Sequence, residues 1–212
     1  MLNDIIVIEK KHENAAATLF DRVMRDRQPR FIVAISGEVG AGKCEIAHVL
    51  GRKLINEGIH VKLLHMDNYY LIPPLDRLEW RKKNGLDQIG YEEYNWDKIN
   101  ENLDDFIHQR STVMPVVDLF TQKVDQLHTS FHGIDVLIIE GLYSIRINQV
   151  NLRVFIELTY KDTWEEQLLT QKEILDDFRI EVLKQEHKAV QSLKGLADFY
   201  IDFDTAGEIF HL

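Results

Sequence analysis

The sequence predicts an α/β fold, a three-layer arrangement with a mainly parallel sheet flanked by helices. Two observations predict it. Short β-branched runs alternate with longer stretches of helical periodicity along the chain. Three of the runs, FIVAIS at 31–36, DVLIIE at 135–140 and RVFIEL at 153–158, are apolar almost throughout. Strands covered on both faces read this way, and strands separated by helices pair in parallel.

The elements follow in order. Residues 12–27 read as an amphipathic helix on the outside of the domain. Residues 31–36 are the first buried strand, Gly37–Gly42 a loop, and about 43–56 a helix. HVKLLH at 60–65 is the second strand. Pro73-Pro74 marks a loop rather than a domain boundary. Helices follow at about 75–84 and 97–109, the latter with Ile99, Leu103, Phe106 and Ile107 on one face. The stretch 113–132 breaks the rhythm and reads as a hairpin or flap beside the sheet. Strands at 135–140 and 153–158 resume it, 162–193 is helical in two pieces, and DFYIDF at 198–203 is a candidate last strand. With no repeat, low-complexity tract or Pro/Gly-rich linker, residues 1–212 read as one domain. Within it, 1–30 is an N-terminal helical extension and 160–195 a reduced lid region.

Composition narrows the class. Of 212 residues, 45% are hydrophobic and 28% charged, enough to bury a substantial core. A formal net charge of −10 argues against non-specific nucleic-acid binding, which depends on Lys and Arg neutralising phosphates. Cys44 is the single cysteine, so an intramolecular disulfide scaffold is excluded. No apolar run approaches the roughly 20 residues of a membrane span. Met1-Leu2-Asn3-Asp4 gives no basic start to a secretory signal. The expected setting is the cytoplasm and the expected partner a small molecule, with the oligomeric state left open, a homo-oligomer included.

The run Ser36-Gly37-Glu38-Val39-Gly40-Ala41-Gly42-Lys43-Cys44 matches G-x-x-x-x-G-K between a buried strand and a helix, the context that a phosphate-binding P-loop requires. The three fixed positions alone arise by chance in about one chain of this size in twenty, so the flanking strand and helix carry the assignment. Glycines let successive backbone N–H groups turn toward one anion, and the helix N-terminus adds partial positive charge. The candidate phosphate-binding residues are Gly37, Glu38, Val39, Gly40, Ala41, Gly42, Lys43, Cys44 and Glu45, with Lys43 reaching the β and γ phosphates of ATP. The competing reading is a glycine-rich turn capping a helix. Cys44 departs from the Ser or Thr that would offer Mg²⁺ a hard oxygen.

Asp67, in His65-Met66-Asp67-Asn68-Tyr69-Tyr70 after the second strand, stands where ligands bind in open α/β sheets. It is a candidate general base for an attacking hydroxyl, or an Asp capping a turn. Glu140, closing the third strand before Gly141, has the placement of an acid that organises Mg²⁺. Cys44, Glu140 and Asp67 are therefore the candidate metal residues.

At these residues the chain resembles the uridine kinase/phosphoribulokinase family of P-loop kinases. The likeness covers roughly residues 31–160 and touches five places in order. These are the G-x-x-x-x-G-K loop; Asp67-Asn68-Tyr69-Tyr70, similar to the family's D-x-F-Y; Asn95-Trp96-Asp97, similar to N-[FY]-D; Pro115-Val116-Val117-Asp118, similar to P-x-Y-D; and Ile139-Glu140-Gly141, similar to E-G. The resemblance implies ATP-dependent phosphorylation of a hydroxyl on a small metabolite, a nucleoside first. It implies Asp67 as the base, Asp97 holding acceptor hydroxyls, and Tyr69, Tyr70, Trp96 and Asp118 on the acceptor side. Two departures stand out. Val117, Leu119 and Gln122 replace the aromatic, aromatic and histidine with which uridine kinases hold the pyrimidine. The arginine-rich lid is replaced by Leu168-Leu169-Thr170-Gln171-Lys172-Glu173, leaving Lys172 and then Arg179 as candidate phosphate contacts, or as solvated helix charges.

Other patterns say less. The nine histidines show no H-x-x-x-H or H-x-H pair beside an acid, so zinc is not expected. His65 reads as a structural strand-end residue. Tyr91, Tyr94 and Trp96 follow Gly85 and Gly90 in a loop that can wall an acceptor pocket. No N-K-x-D guanine motif supports a GTPase. The alternative to a kinase is a nucleotide-binding regulatory protein with weak or no transfer, to which Cys44 and the arginine-poor lid point.

Overall fold

The computed structural model describes residues 2, 5–170 and 176–203. Its elements run α1 (Lys10–Asp26), β1 (Phe31–Ser36), α2 (Lys43–Asn56), β2 (Val61–His65), α3 (Pro74–Asn84), α4 (Trp96–Ile107), β3 (Ser111–Asp118), β4 (Lys123–Ser130), β5 (Val136–Glu140), β6 (Leu152–Ile156), α5 (Trp164–Thr170), α6 (Asp177–Leu193) and β7 (Phe199–Ile201). Five strands form one sheet in the order β2-β5-β1-β6-β7, every pair parallel.

Why β1 is apolar from Phe31 to Ile35 is now visible. Ile32 and Ala34 face one layer, with Leu137, Ile139 and Phe155 beside them and Ile99, Leu103, Phe106 and Val190 of α4 and α6 above. Phe31, Val33 and Ile35 face the other, against Leu19 and Val23 of α1 and Ile46, Leu50 and Leu54 of α2. Period-two alternation of side chains sends neighbours to opposite faces, and both faces are covered.

The hairpin expected at 113–132 is β3 and β4, paired antiparallel from Ser111↔Ser130 to Asp118↔Lys123 and separate from the main sheet. Pro115 is tolerated in β3 because a two-stranded ribbon leaves each strand an edge. The ribbon is tied to the main body where Val117 N–H donates to Asn68 Oδ1 at 3.0 Å.

A buried ionic cluster joins α3 to α6. The Arg81 guanidinium grips Glu93 with Nε–Oε1 at 2.6 Å and Nη2–Oε2 at 2.9 Å, and reaches Glu186 Oε1 at 3.1 Å. Arg179 Nη1 meets the other Glu186 oxygen at 3.2 Å.

Candidate active site

The carboxyl ends of β1, β2 and β5 meet at one edge of the sheet. Register places both His65 and Ile35 opposite Glu140, so the residues following β1 and β2 flank the end of β5. The chain leaves β1 for β2 and later returns through β5 between them, and this change of direction opens the crevice in which α/β sheets bind ligands.

The phosphate loop fills that crevice. Gly40 and Gly42 adopt φ of +78° and +85°, left-handed conformations that favour glycine. Space excludes side chains as well: a Cβ on Gly40 would stand 2.8 Å from Thr163, and one on Gly42 2.7 Å from His12 Nε2. The Lys43 ammonium donates to Glu38 O at 2.7 Å, folded back on its own loop. Glu45, half-buried in the first turn of α2, sets a carboxylate against the helix dipole.

The Glu38 side chain departs from the expectation that all of it serves the nucleotide. Its buried carboxylate accepts from Tyr160 N at 2.8 Å and Gln191 Nε2 at 2.6 Å, and lies 2.7 Å from His187 Nδ1. Thr163 Oγ1 adds a bond to Val39 O at 2.8 Å. These bonds pin the loop to α6 and to the segment after β6. They leave Glu38 its main chain for a phosphate.

Beside the loop, Cys44, His65 and Glu140 form one cluster. His65 Nδ1 is 2.7 Å from Glu140 Oε1, and Cys44 Sγ is 3.5 Å from that oxygen. Burial acts to raise the pKa of Glu140, but the bond and charge of His65, with Lys43 and the Cys44 thiol, outweigh it and hold the carboxyl below its ordinary value. Asp67 goes the other way. Burial first, then the charge of Glu140, push its pKa up against the opposing charges of Lys43 and Arg77. The Tyr94 hydroxyl, itself kept protonated chiefly by burial, donates to Asp67 Oδ1 at 3.5 Å. Mg²⁺ is a hard ion that takes an octahedron of oxygens. The Cys44 sulfur and His65 nitrogen do not suit it, and of the donors gathered here the carboxylate oxygens of Glu140 and Asp67 are the ones that would hold it.

The acceptor side is aromatic and cationic. Tyr70 stacks on Tyr94 with centroids 4.1 Å apart, and the Arg77 guanidinium lies 3.5 Å above the Tyr70 ring. Trp96 Nε1 donates to Tyr91 O at 2.7 Å, and Arg146 covers both Tyr91 and Trp96 at 4.5 and 5.5 Å.

Several expected residues fall elsewhere. Tyr69 is a correction: its ring is in the core and its hydroxyl donates to Asn102 Oδ1 at 2.9 Å, because residues Met66–Tyr69 form a 3-10 turn that puts Tyr69 on the same inward face as Met66, three residues before it. Asp118 shapes the hairpin turn, its Oδ1 accepting from Phe120 N at 2.9 Å. Asp97 is exposed on the first turn of α4. Arg179 corrects the alternative of a solvated helix charge, since its guanidinium is buried with Nη1 on Glu186. Lys172 lies outside the described residues.

The sequence reading missed His65 as a partner of Glu140, the Glu38 carboxylate as a strut, and Arg77 and Arg146. Histidine spacing searched for ligands on one element, whereas this cluster is assembled from three. A signal for Arg77 did exist, in its place one helical turn before Arg81 on α3.

Comparison with known proteins follows the same lines. A bifunctional alpha-galactosidase/sucrose kinase of Mediterraneibacter gnavus is 28% identical over 169 residues, spanning 72% of this chain and 18% of that protein. A uridine kinase of Ureaplasma urealyticum is 29% identical over 138 residues, 62% of this chain and 63% of its own length. The chain thus spans less than two thirds of both relatives. Among solved structures, one described as a possible uridine kinase from Bacillus stearothermophilus superposes with a TM-score of 0.65 at 16% identity, covering 89% of this chain and 98% of its own, a likeness of fold. Residues 32–173, from β1 past the end of α5, match the Phosphoribulokinase / Uridine kinase family, and the chain belongs to that family.

Proposed function

We propose that the chain is an ATP-dependent phosphotransferase that phosphorylates a hydroxyl group of a small metabolite. The observation that carries the reading is the phosphate loop, with Lys43 at its end, at the sheet edge beside the Asp67 carboxylate. The loop N–H groups cradle the nucleotide phosphates, and Lys43 exchanges Glu38 O for the β and γ phosphates, where charge develops during transfer. Asp67 accepts the proton of the attacking hydroxyl. A carboxylate with a raised pKa is a stronger base than an ordinary one, and burial is what raises that of Asp67. Tyr70, Tyr94 and Trp96, with Arg77 and Arg146, wall the acceptor side.

Relatives described as a uridine kinase and a sucrose kinase suggest acceptors rich in sugar hydroxyls. An aromatic wall suits a sugar face, and a nucleoside is the first candidate. A second reading, nucleotide binding with weak or no transfer, is favoured by one observation. Arg179, the lid cation nearest in sequence to Lys172, is bonded to Glu186.

The test is nucleotide consumption by purified protein with ATP against a panel of nucleosides, disaccharides, glycerate and sugar phosphates. Turnover with one acceptor, reduced about 10²–10³-fold in Lys43→Ala and about 10²–10⁴-fold in Asp67→Asn, supports the kinase. ATP binding without transfer to any acceptor replaces it with the second reading.

A further inference from the structure

Cys44 stands on the first turn of α2, His65 at the end of β2 and Glu140 at the end of β5. Their donor atoms make one triangle: Sγ to Glu140 Oε1 is 3.5 Å, Sγ to His65 Nδ1 is 3.7 Å, and Nδ1 to Oε1 is 2.7 Å. Tetrahedral zinc, with about 2.3 Å to sulfur and about 2.0–2.1 Å to nitrogen or oxygen, sets its ligands roughly 3.5 Å apart from sulfur and roughly 3.3 Å apart otherwise. Two edges of the triangle are already near those lengths. The third opens from a hydrogen bond by roughly 0.6 Å to admit an ion.

The donor types agree with the geometry. Thiolate selects soft or borderline ions, imidazole suits zinc, copper, iron and nickel, and one carboxylate completes a mixed set in which zinc outranks the hard ions. Glu140 is buried, and Cys44 and His65 are half-buried, so the cluster is shielded yet reachable from the crevice. Three protein ligands and a vacant fourth position is the arrangement of zinc sites that bind water or substrate.

We propose that Cys44, His65 and Glu140 form a binding site for a thiophilic divalent ion of the zinc class. Its fourth position is open to water or to an oxygen of a phosphate in the adjoining loop. The site does not depend on the transfer reaction, so it stands or falls separately from the kinase assignment.

The whole chain, stripped of metal with a chelator and kept reduced, is titrated with Co²⁺ in the absence of nucleotide. Cys44 is the sole cysteine, so any near-ultraviolet sulfur-to-cobalt charge-transfer band reports that thiolate and no other. The expected result is one Co²⁺ per chain with this band, displaced by Zn²⁺ and retained in excess Mg²⁺. Cys44→Ser abolishes the band and weakens zinc binding about tenfold or more, because a hydroxyl is the poorer ligand for zinc. Glu140→Gln keeps the band and weakens binding, with circular dichroism checking that each variant is folded. Absence of the band in the folded wild-type chain at saturating cobalt overturns the proposal, leaving a hydrogen-bonded trio only. Zinc affinity unchanged in both variants overturns it as well, and the wild-type spectrum decides if the variants do not fold.

Discussion

At the scale of single residues, function and stability pull in opposite directions at Asp67. Burial and the neighbouring Glu140 charge raise its pKa, so ionising it in the folded chain is harder than in the unfolded one. As pH rises past the ordinary carboxyl value, the unfolded chain loses this proton first and the folded state loses stability. The loss is complete once pH passes the folded-state pKa, and it vanishes below about pH 4. Asp67→Asn should therefore raise the melting temperature at pH 8, by about 2–4 °C, and leave it unchanged at pH 4, while transfer falls. Thermal unfolding of both proteins at the two pH values checks this; an equal shift at both would remove the electrostatic explanation. Legibility in the sequence divides along the same line. Asp67 and Glu140 stand in motifs that fix their place at strand ends, and Lys43 in one that fixes it at the start of α2. His65 carried no such mark, because its partner is 75 positions away and meets it through strand register alone. Tyr69 and Tyr70 are neighbours in the sequence, and only packing decides which ring enters the core.

At the scale of elements, the two-sided burial of β1 was legible because period-two alternation and full apolarity together require cover on both faces. The attachment of α6 was not. The sequence offers Arg179 as a phosphate contact or a solvated helix charge, yet Arg179 and Glu186 are buried with Arg81 and Glu93, which come from distant parts of the chain. Charge pattern along one helix does not reveal partners supplied by another. The cluster also leads to a prediction. Arg81→Met removes two bonds to Glu93 and one to Glu186, leaving the buried Glu93 carboxylate without a cation while Glu186 keeps Arg179. Uncompensated burial of this kind costs about 3–5 kcal/mol. Arg81→Lys should recover only part, since an ammonium cannot reproduce the bidentate fork. Urea unfolding of the three proteins measures the difference. A loss under about 1 kcal/mol for Arg81→Met would mean that the cluster behaves as an exposed ion pair.

At the scale of the whole molecule, the phosphate loop is braced from both layers of the fold. His12 of α1 closes on Gly42 from one side, while His187 and Gln191 of α6 hold Glu38 from the other. A ligand in the loop is therefore expected to stabilise both layers together rather than the loop alone. Any ligand that binds only the folded chain stabilises it by about 2.7 kcal/mol at a hundredfold excess over its dissociation constant. In a protein of this size each kcal/mol moves the melting temperature by roughly 2–4 °C. ATP at that excess should then raise it by roughly 5–10 °C, and Lys43→Ala at the same nucleotide concentration should lose most of the gain. Hydrogen exchange locates the effect: added ATP should slow backbone amides in both α1 and α6. Glu38→Gln, which replaces a carboxylate accepting from three groups by an amide, should keep the protection of α1 and lose that of α6. Protection confined to residues 37–44 in the wild-type chain would show that the two layers respond independently, and the bracing would then be a feature of packing without a part in binding.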